Sequence, residues 1–187
     1  TGNGNLVITG NGATRIVSET DYTGWTKIRS GSLILDNDNA IGGSQSVWFE
    51  AGSTGTLVID TAENAQTWRD ITLQNLVGES APDAVVQLND MTNLTVGLAA
   101  NTTTNTNSYA GSFVLGTNTH LSLNGGYFTM ATPGTFPSFL PGWQNATAHL
   151  TINQAHLPTG FNFQVEDNNT LILDGDNRYF SGDVTLG

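Results

Sequence analysis

The sequence predicts an all-β solenoid, a three-sided parallel β-helix, on three observations. Its apolar residues come in short groups such as Leu6–Ile8, Leu33–Leu35, Leu57–Ile59 and Ile71–Leu73, and the corners between them are Gly, Ser, Asn and Asp. Strands that short bury little alone and must stack on further copies of themselves. A loose repeat supplies those copies: Tyr22-Thr-Gly24, Tyr109-Ala-Gly111 and Tyr179-Phe-Ser-Gly182 each stand before apolar triplets. Finally, no helix-length stretch shows a 3.6-residue apolar period, so helix is expected to be nearly absent. A β-sandwich would also space its strands at about 8–12 residues, but it has no reason to repeat the Tyr-x-Gly unit.

Taken in order, Leu6–Ile8 and Arg15–Val17 read as strands around a Thr-Gly-Asn-Gly corner. Residues 22–43 hold the clearest unit, with Thr26–Arg29, a Ser-Gly corner, Leu33–Leu35 and an Asx-rich turn. Val47–Phe49 follows, and alternation along a strand turns Trp48 away from its two apolar neighbours. Leu57–Ile59, Ile71–Leu73, Val85–Leu88 and Leu94–Val96 continue the series, and the Pro82 loop at Gly78–Ala84 is expected to protrude a little. The strands resume at Phe113–Leu115, Leu121–Leu123, Leu150–Ile152, Phe161–Val165, Leu171–Leu173 and Val184–Leu186. At three strands per turn this makes about five to seven rungs, a rod roughly 25–35 Å long.

Two segments interrupt the rhythm. Residues 99–108 form an Asn/Thr tract too polar for a core. Residues 131–148 carry Pro133, Pro137 and Pro141 with Phe136, Phe139 and Trp143 among them. Proline cannot donate to a sheet ladder, so this segment is expected to leave the stack as a protruding loop. Its aromatics then pack back over a rung or face a partner.

Charge narrows the function classes. Sixteen acidic residues against five basic ones give a formal charge of −11. Phosphate binding needs clustered Lys or Arg, whereas Arg15, Lys27, Arg29, Arg69 and Arg178 are scattered, so nucleic acid is not expected as a partner. There is no Cys, hence no disulfide framework, and no apolar run reaches the length of a membrane span. The chain opens without a signal peptide and stops inside a repeat, which reads as a single β-helix segment, residues 1–187, cut from a longer solenoid.

The Tyr22–Gly43 unit, Tyr-Thr-Gly-Trp-Thr-Lys-Ile-x-x-Gly-Ser-Leu-Ile-Leu followed by Asn-Ala-Ile-Gly-Gly, resembles the passenger-associated repeat of bacterial autotransporters. The likeness is close over about 22 residues and looser around Tyr109 and Tyr179. Trp25 departs from the pattern, standing where the family has a second Gly at a tight corner. The resemblance implies a right-handed parallel β-helix passenger on a Gram-negative cell surface, tethered to the outer membrane in the full-length protein. It says little about activity, since the repeat is structural.

Chemical signals are sparse. Asp36-Asn-Asp38-Asn39 and Asp174-Gly-Asp176-Asn177 alternate oxygen donors as calcium loops do, but neither is followed by a bidentate Glu at the EF-hand spacing. Such runs are more often stacked turns, and no metal or other cofactor is expected. The motifs of pectin-hydrolase β-helices are missing, and a lyase arrangement would need Lys27 or Arg29 beside Asp36 and Asp38. His120, His149 and His156 lack metal-ligand spacing, and no Gly-x-Ser-x-Gly elbow occurs.

The expectation is therefore a non-enzymatic adhesin segment acting in attachment, aggregation or biofilm formation. Its partner would be a protein or glycan of a host or matrix surface, or a second passenger. Candidate contact residues are Phe136, Phe139 and Trp143 in the proline-rich loop, with Trp25 and Trp48 on the rod surface. The alternatives are a structural spacer and a polysaccharide-active β-helix enzyme or phage-type tailspike segment.

Overall fold

A computed structural model describes residues 2–41, 45–61, 67–97, 107–128, 138–139, 145–153, 157, 163–165, 168–174 and 184–186. The described residues are strands and corners, without a helix, and so without a helix long and apolar enough to cross a membrane.

The chain winds through three faces in succession. The first two turns contribute β1 (Leu6–Ile8), β2 (Ala13–Ile16), β3 (Thr26–Ile28) and β4 (Ser32–Leu35). The third adds β5 (Ser46–Phe49), β6 (Thr56–Ile59) and β7 (Arg69–Leu73), and the fourth β8 (Asn75–Gly78), β9 (Val85–Leu88) and β10 (Thr92–Val96). Next come β11 (Ser108–Tyr109), β12 (Ser112–Leu115) and β13 (Thr119–Asn124), then β14 (Tyr127–Phe128), β15 (Ser138–Phe139) and β16 (Thr147–Asn153). The series ends with β17 (Phe163–Val165), β18 (Thr170–Asp174) and β19 (Val184–Leu186).

The first sheet stacks β1-β3-β5-β8-β11-β14, the second β2-β4-β6-β9-β12-β15 and the third β7-β10-β13-β16-β18. Every adjacent pair is parallel, and β17 pairs with β19 separately. This is a three-sided parallel β-helix. Six strands at the usual spacing span about 24 Å. On the third side the described residues of the first two turns form no strand: Thr20 lies against Asn39 and Ala40 through a backbone bond of 3.1 Å and a hydroxyl bond of 2.7 Å.

The interior is built of columns. Leu33, Leu57, Val86 and Phe113 are in register on the second sheet, and Leu35, Ile59, Leu88 and Leu115 form the next column. On the third sheet Ile71, Leu94, Leu121 and Leu150 do the same. All are buried. Burying such a side chain stabilises by roughly 1.5–3 kcal/mol against leaving it exposed, and register multiplies that gain along the axis. Four rings add an aromatic seam, with centroid separations of 5.5 Å for Phe49–Tyr109, 5.2 Å for Tyr109–Phe113 and 6.3 Å for Phe113–Phe128. Gly78 lies between Phe49 and Tyr109; a Cβ there would come within 3.0 Å of the Tyr109 ring.

The Tyr-x-Gly repeat has a local cause, although its copies are not equivalent. The Tyr109 hydroxyl is buried and donates to the Ala84 and Ser112 carbonyls at 2.9 and 3.2 Å. A Cβ on Gly111 would stand 2.3 Å from both that hydroxyl and the Ala84 carbonyl. Tyr22 instead precedes β3, is half-buried and meets the Thr26 hydroxyl. Gly24 passes the backbone of the previous turn so closely that a Cβ would lie 2.3 Å from the Gly4 carbonyl. Leu33 and Leu121, which follow Tyr22 and Tyr109 at the similar spacings of 11 and 12 residues, also fall on different sheets. The structural counterpart of Leu33 is Phe113. Tyr179 lies outside the described residues.

Two further expectations are corrected. The Pro82 segment is shorter than expected, since Gly78 belongs to β8, and it is anchored by the fully buried Ala81 and Ala84, while Glu79, Ser80, Pro82 and Asp83 are exposed. Within 131–148, Ser138 and Phe139 stay in the stack, paired with Val114 and Leu115, because neither is a proline and both can join the ladder. The remainder of that proline-rich stretch up to residue 144 is outside the described residues.

The corner between the second and third sheets carries an ion-pair ladder. Arg15 bridges Asp36 at 3.0 Å and Asp60 at 2.6 Å, while Arg69 bridges Asp36 and Asp38 at 3.1 Å each. Asn89 extends the ladder to Asp60 at 2.8 Å. One guanidinium thus spans carboxylates from successive turns, offsetting repulsion between aspartates brought close by stacking.

Replacing Gly111 with Ala is expected to destabilise the protein by about 2–3 kcal/mol, because the obstacles are a backbone carbonyl and a packed ring. Tyr109→Phe should cost about 0.5–1.5 kcal/mol, since Ala84 keeps its bond from the Ser112 amide. Urea unfolding checks both; a Gly111→Ala protein as stable as the parent would remove this account of the repeat.

Candidate functional site

The outer face of the first sheet gathers the most exposed aromatic surface among the candidates. β3 and β5 pair Thr26 with Val47, Lys27 with Trp48 and Ile28 with Phe49. Val47, Ile28 and Phe49 are buried, so Lys27 and Trp48 point outward, as alternation requires. Trp48 is 37% exposed. Val7 and Val77 continue the outward column on either side in β1 and β8.

Trp25 joins this face from the corner before β3. Gly24 keeps the tight approach to the previous turn, so the indole at the next position projects outward without opening the corner. The Trp25 amide donates to the Asn5 side chain at 2.8 Å, and its carbonyl accepts from Leu6 at 3.0 Å. Trp25 and Trp48 meet edge-to-face, centroids 6.3 Å apart and planes at 73°. The Lys27 Nζ sits 4.7 Å from the Trp48 ring centroid, a cation–π contact.

Two residues further along the same strands, the Arg29 guanidinium grips the Glu50 carboxylate, with its second contact at 3.4 Å. That hydrogen bond holds the Glu50 carboxyl below its usual range, and the Arg29 and Lys27 charges act in the same direction. Sequence alternation placed Lys27 and Arg29 on one face. It did not reveal that the face also holds both indoles, because the partner strand lies 21 residues away.

The other candidates are distributed differently. Phe139 packs against the core and is only half-exposed, because its position in β15 continues the column below Leu115. It is therefore not presented beside Trp25 and Trp48 as a surface group. Phe136 and Trp143 lie outside the described residues. Trp68, which sequence reasoning passed over as a surface residue, is 45% exposed just before β7. Lys27 and Arg29 are not beside Asp36 and Asp38: those aspartates follow β4 and are engaged by Arg15 and Arg69 at another corner.

A polar cluster occupies the outer face of the third sheet. His120 and His149 are in register with rings 5.7 Å apart. His120 Nε2 bonds the Thr151 hydroxyl at 2.8 Å and lies 3.4 Å from that of Ser122, whereas His149 Nδ1 meets Asp174 at 2.6 Å. The carboxylate thus orients one imidazole while the hydroxyls meet the other, so the groups do not form a single relay of the Ser-His-Asp type. Among the described residues no group of three or more His, Cys, Asp or Glu is arranged to hold a metal ion. Burial, and then the neighbouring His149, push the His120 pKa below its ordinary value, with Asp174 opposing.

Comparison with known proteins finds no matching family model, no similar curated protein and no similar solved structure.

The His120 shift has a definite pH consequence. Its folded pKa is depressed, so its stabilising contribution is present above about pH 6.5, the unfolded value, and is lost as pH falls through the folded pKa. The melting temperature should decline across that window, and His120→Gln should flatten the decline. An identical pH profile in the variant would remove His120 as its cause.

Proposed function

We propose that this chain is a non-enzymatic β-helical segment of a bacterial surface adhesin, with the Trp25–Trp48 face as its contact surface. The observation that carries the reading is the pair of indoles, Trp48 on β5 and Trp25 at the corner before β3, with centroids 6.3 Å apart. Aromatic side chains supply large contact area at little cost in conformational entropy and are the usual anchors of interfaces. Here the rings already pack against each other, and the backbone bonds of Trp25 to Asn5 and Leu6 fix its corner, so less is left for binding to order.

The resemblance of residues 22–43 to the passenger-associated repeat supports display at a Gram-negative cell surface. A solenoid also suits that role mechanically, since each turn repeats the same backbone ladder and carries its contact groups on the outside. One small face would bind weakly, but many copies on one cell add by multivalency. At the acidic corner, Asp36, Asp38 and Asp60 are engaged by guanidinium groups, so that corner does not offer the free carboxylate pair that polysaccharide cleavage requires.

The test is attachment by cells or beads displaying the protein, compared with Trp25→Ala/Trp48→Ala. Both residues are surface-placed, so the double variant should keep its melting temperature within a few degrees and lose attachment at least tenfold. A folded variant that attaches as well as the parent would overturn the reading and leave the segment as a spacer.

A further inference from the structure

We infer that the Trp25–Trp48–Lys27 face takes acidic saccharides, with a uronic-acid ring as the recognised unit. This rests on the adhesive reading and names its ligand class. The first argument is charge. In a chain of formal charge −11 the described arginines are committed: Arg15 and Arg69 to the aspartate ladder, Arg29 to Glu50. Lys27 makes no ion pair among the described residues, and its ammonium instead rests over the Trp48 ring. The nearest carboxylate on these strands, Glu50, is held by Arg29, which leaves the Lys27 ammonium as the cation of this face available to a ligand anion.

The second argument is shape. An ammonium 4.7 Å from an indole centroid sets an anion site one ring's width from an apolar surface. A pyranose uronate has that combination: a C–H face that stacks on an aromatic ring and a carboxylate at its edge. Neutral sugars offer the face without the charge, and small anions the charge without the face. The cation–π contact is worth only about 0.5–1 kcal/mol at an exposed site. A ligand carboxylate can therefore draw the ammonium off the ring and uncover the indole for stacking. Trp25, at 73° to Trp48, provides a second wall against the bound ring.

The test titrates the whole chain with oligogalacturonate and with its methyl-esterified form, which keeps the ring but loses the charge, reading tryptophan fluorescence and heat. Oligogalacturonate should bind at least tenfold tighter than the ester, and more weakly as salt is raised. Lys27→Gln should reduce uronate binding to the level of the ester. Trp48→Ala should abolish the binding of both, at unchanged melting temperature. Equal binding of acid and ester would overturn the acidic specificity while leaving the aromatic contact face in place. No binding of either, together with attachment that survives Trp25→Ala/Trp48→Ala, would overturn the inference and the adhesive reading together. Self-association in sedimentation that Trp48→Ala abolishes would assign the face to a second copy and overturn the saccharide.

Discussion

Every turn of this rod must place its inward side chains above those of the turn before, and the in-register parallel ladder enforces that. In a parallel pair the backbone bonds recur at even spacing, so once Leu33 sits over Leu57 the neighbouring positions are committed for the length of the strand. A slip of one residue would turn the whole inward set out to solvent. The apolar columns and the ladder are thus one constraint seen from the side chain and from the backbone. What varies between turns is the connection: on the first sheet the partner strand lies 20 residues on from β1 to β3, 31 from β8 to β11 and 19 from β11 to β14.

The corners show how variable connections return to a fixed register. Met91 and Asn118, both in the left-handed region, immediately precede β10 and β13, and Asn145 and Asn168 stand two residues before β16 and β18. Asn adopts that conformation more readily than most residues. Directly after the bend, Thr92 and Thr119 turn their buried hydroxyls back to carbonyls three residues earlier, at 2.7 and 3.1 Å. The same device at two successive turns gives the carbonyls of Asn89 and Gly116 a local partner at the corner.

Much of the rod was legible because strand position follows from local pattern. The apolar pattern gives Leu6–Ile8, Val85–Leu88 and Val184–Leu186 with their observed bounds, and most other triplets lie inside longer strands whose polar ends carry no apolar signal. β8 was missed since Gly78 takes the place of an inward side chain, leaving Leu76 as its one buried large residue. The phase of the repeat misled for a related reason. Tyr22 and Tyr109 share a Tyr-x-Gly signature because both glycines pass another turn's backbone closely, yet one tyrosine stands before a strand and the other within one. Local chemistry reports a close approach; it does not report which turn is being approached.

The candidate site illustrates that limit more sharply. Trp25 and Trp48 were separately legible as surface residues, one by its departure from a glycine pattern and the other by alternation between Val47 and Phe49. Their pairing depends on the number of residues per turn, a long-range quantity that the loops between strands decide. The same dependence governs the aspartate ladder: Asp36 and Asp38 look like a calcium loop in isolation, and Arg69, 33 residues from Asp36, changes their chemistry. In a solenoid the residues that matter to a site are neighbours along the axis. Turn length, rather than motif, therefore decides which side chains a ligand meets.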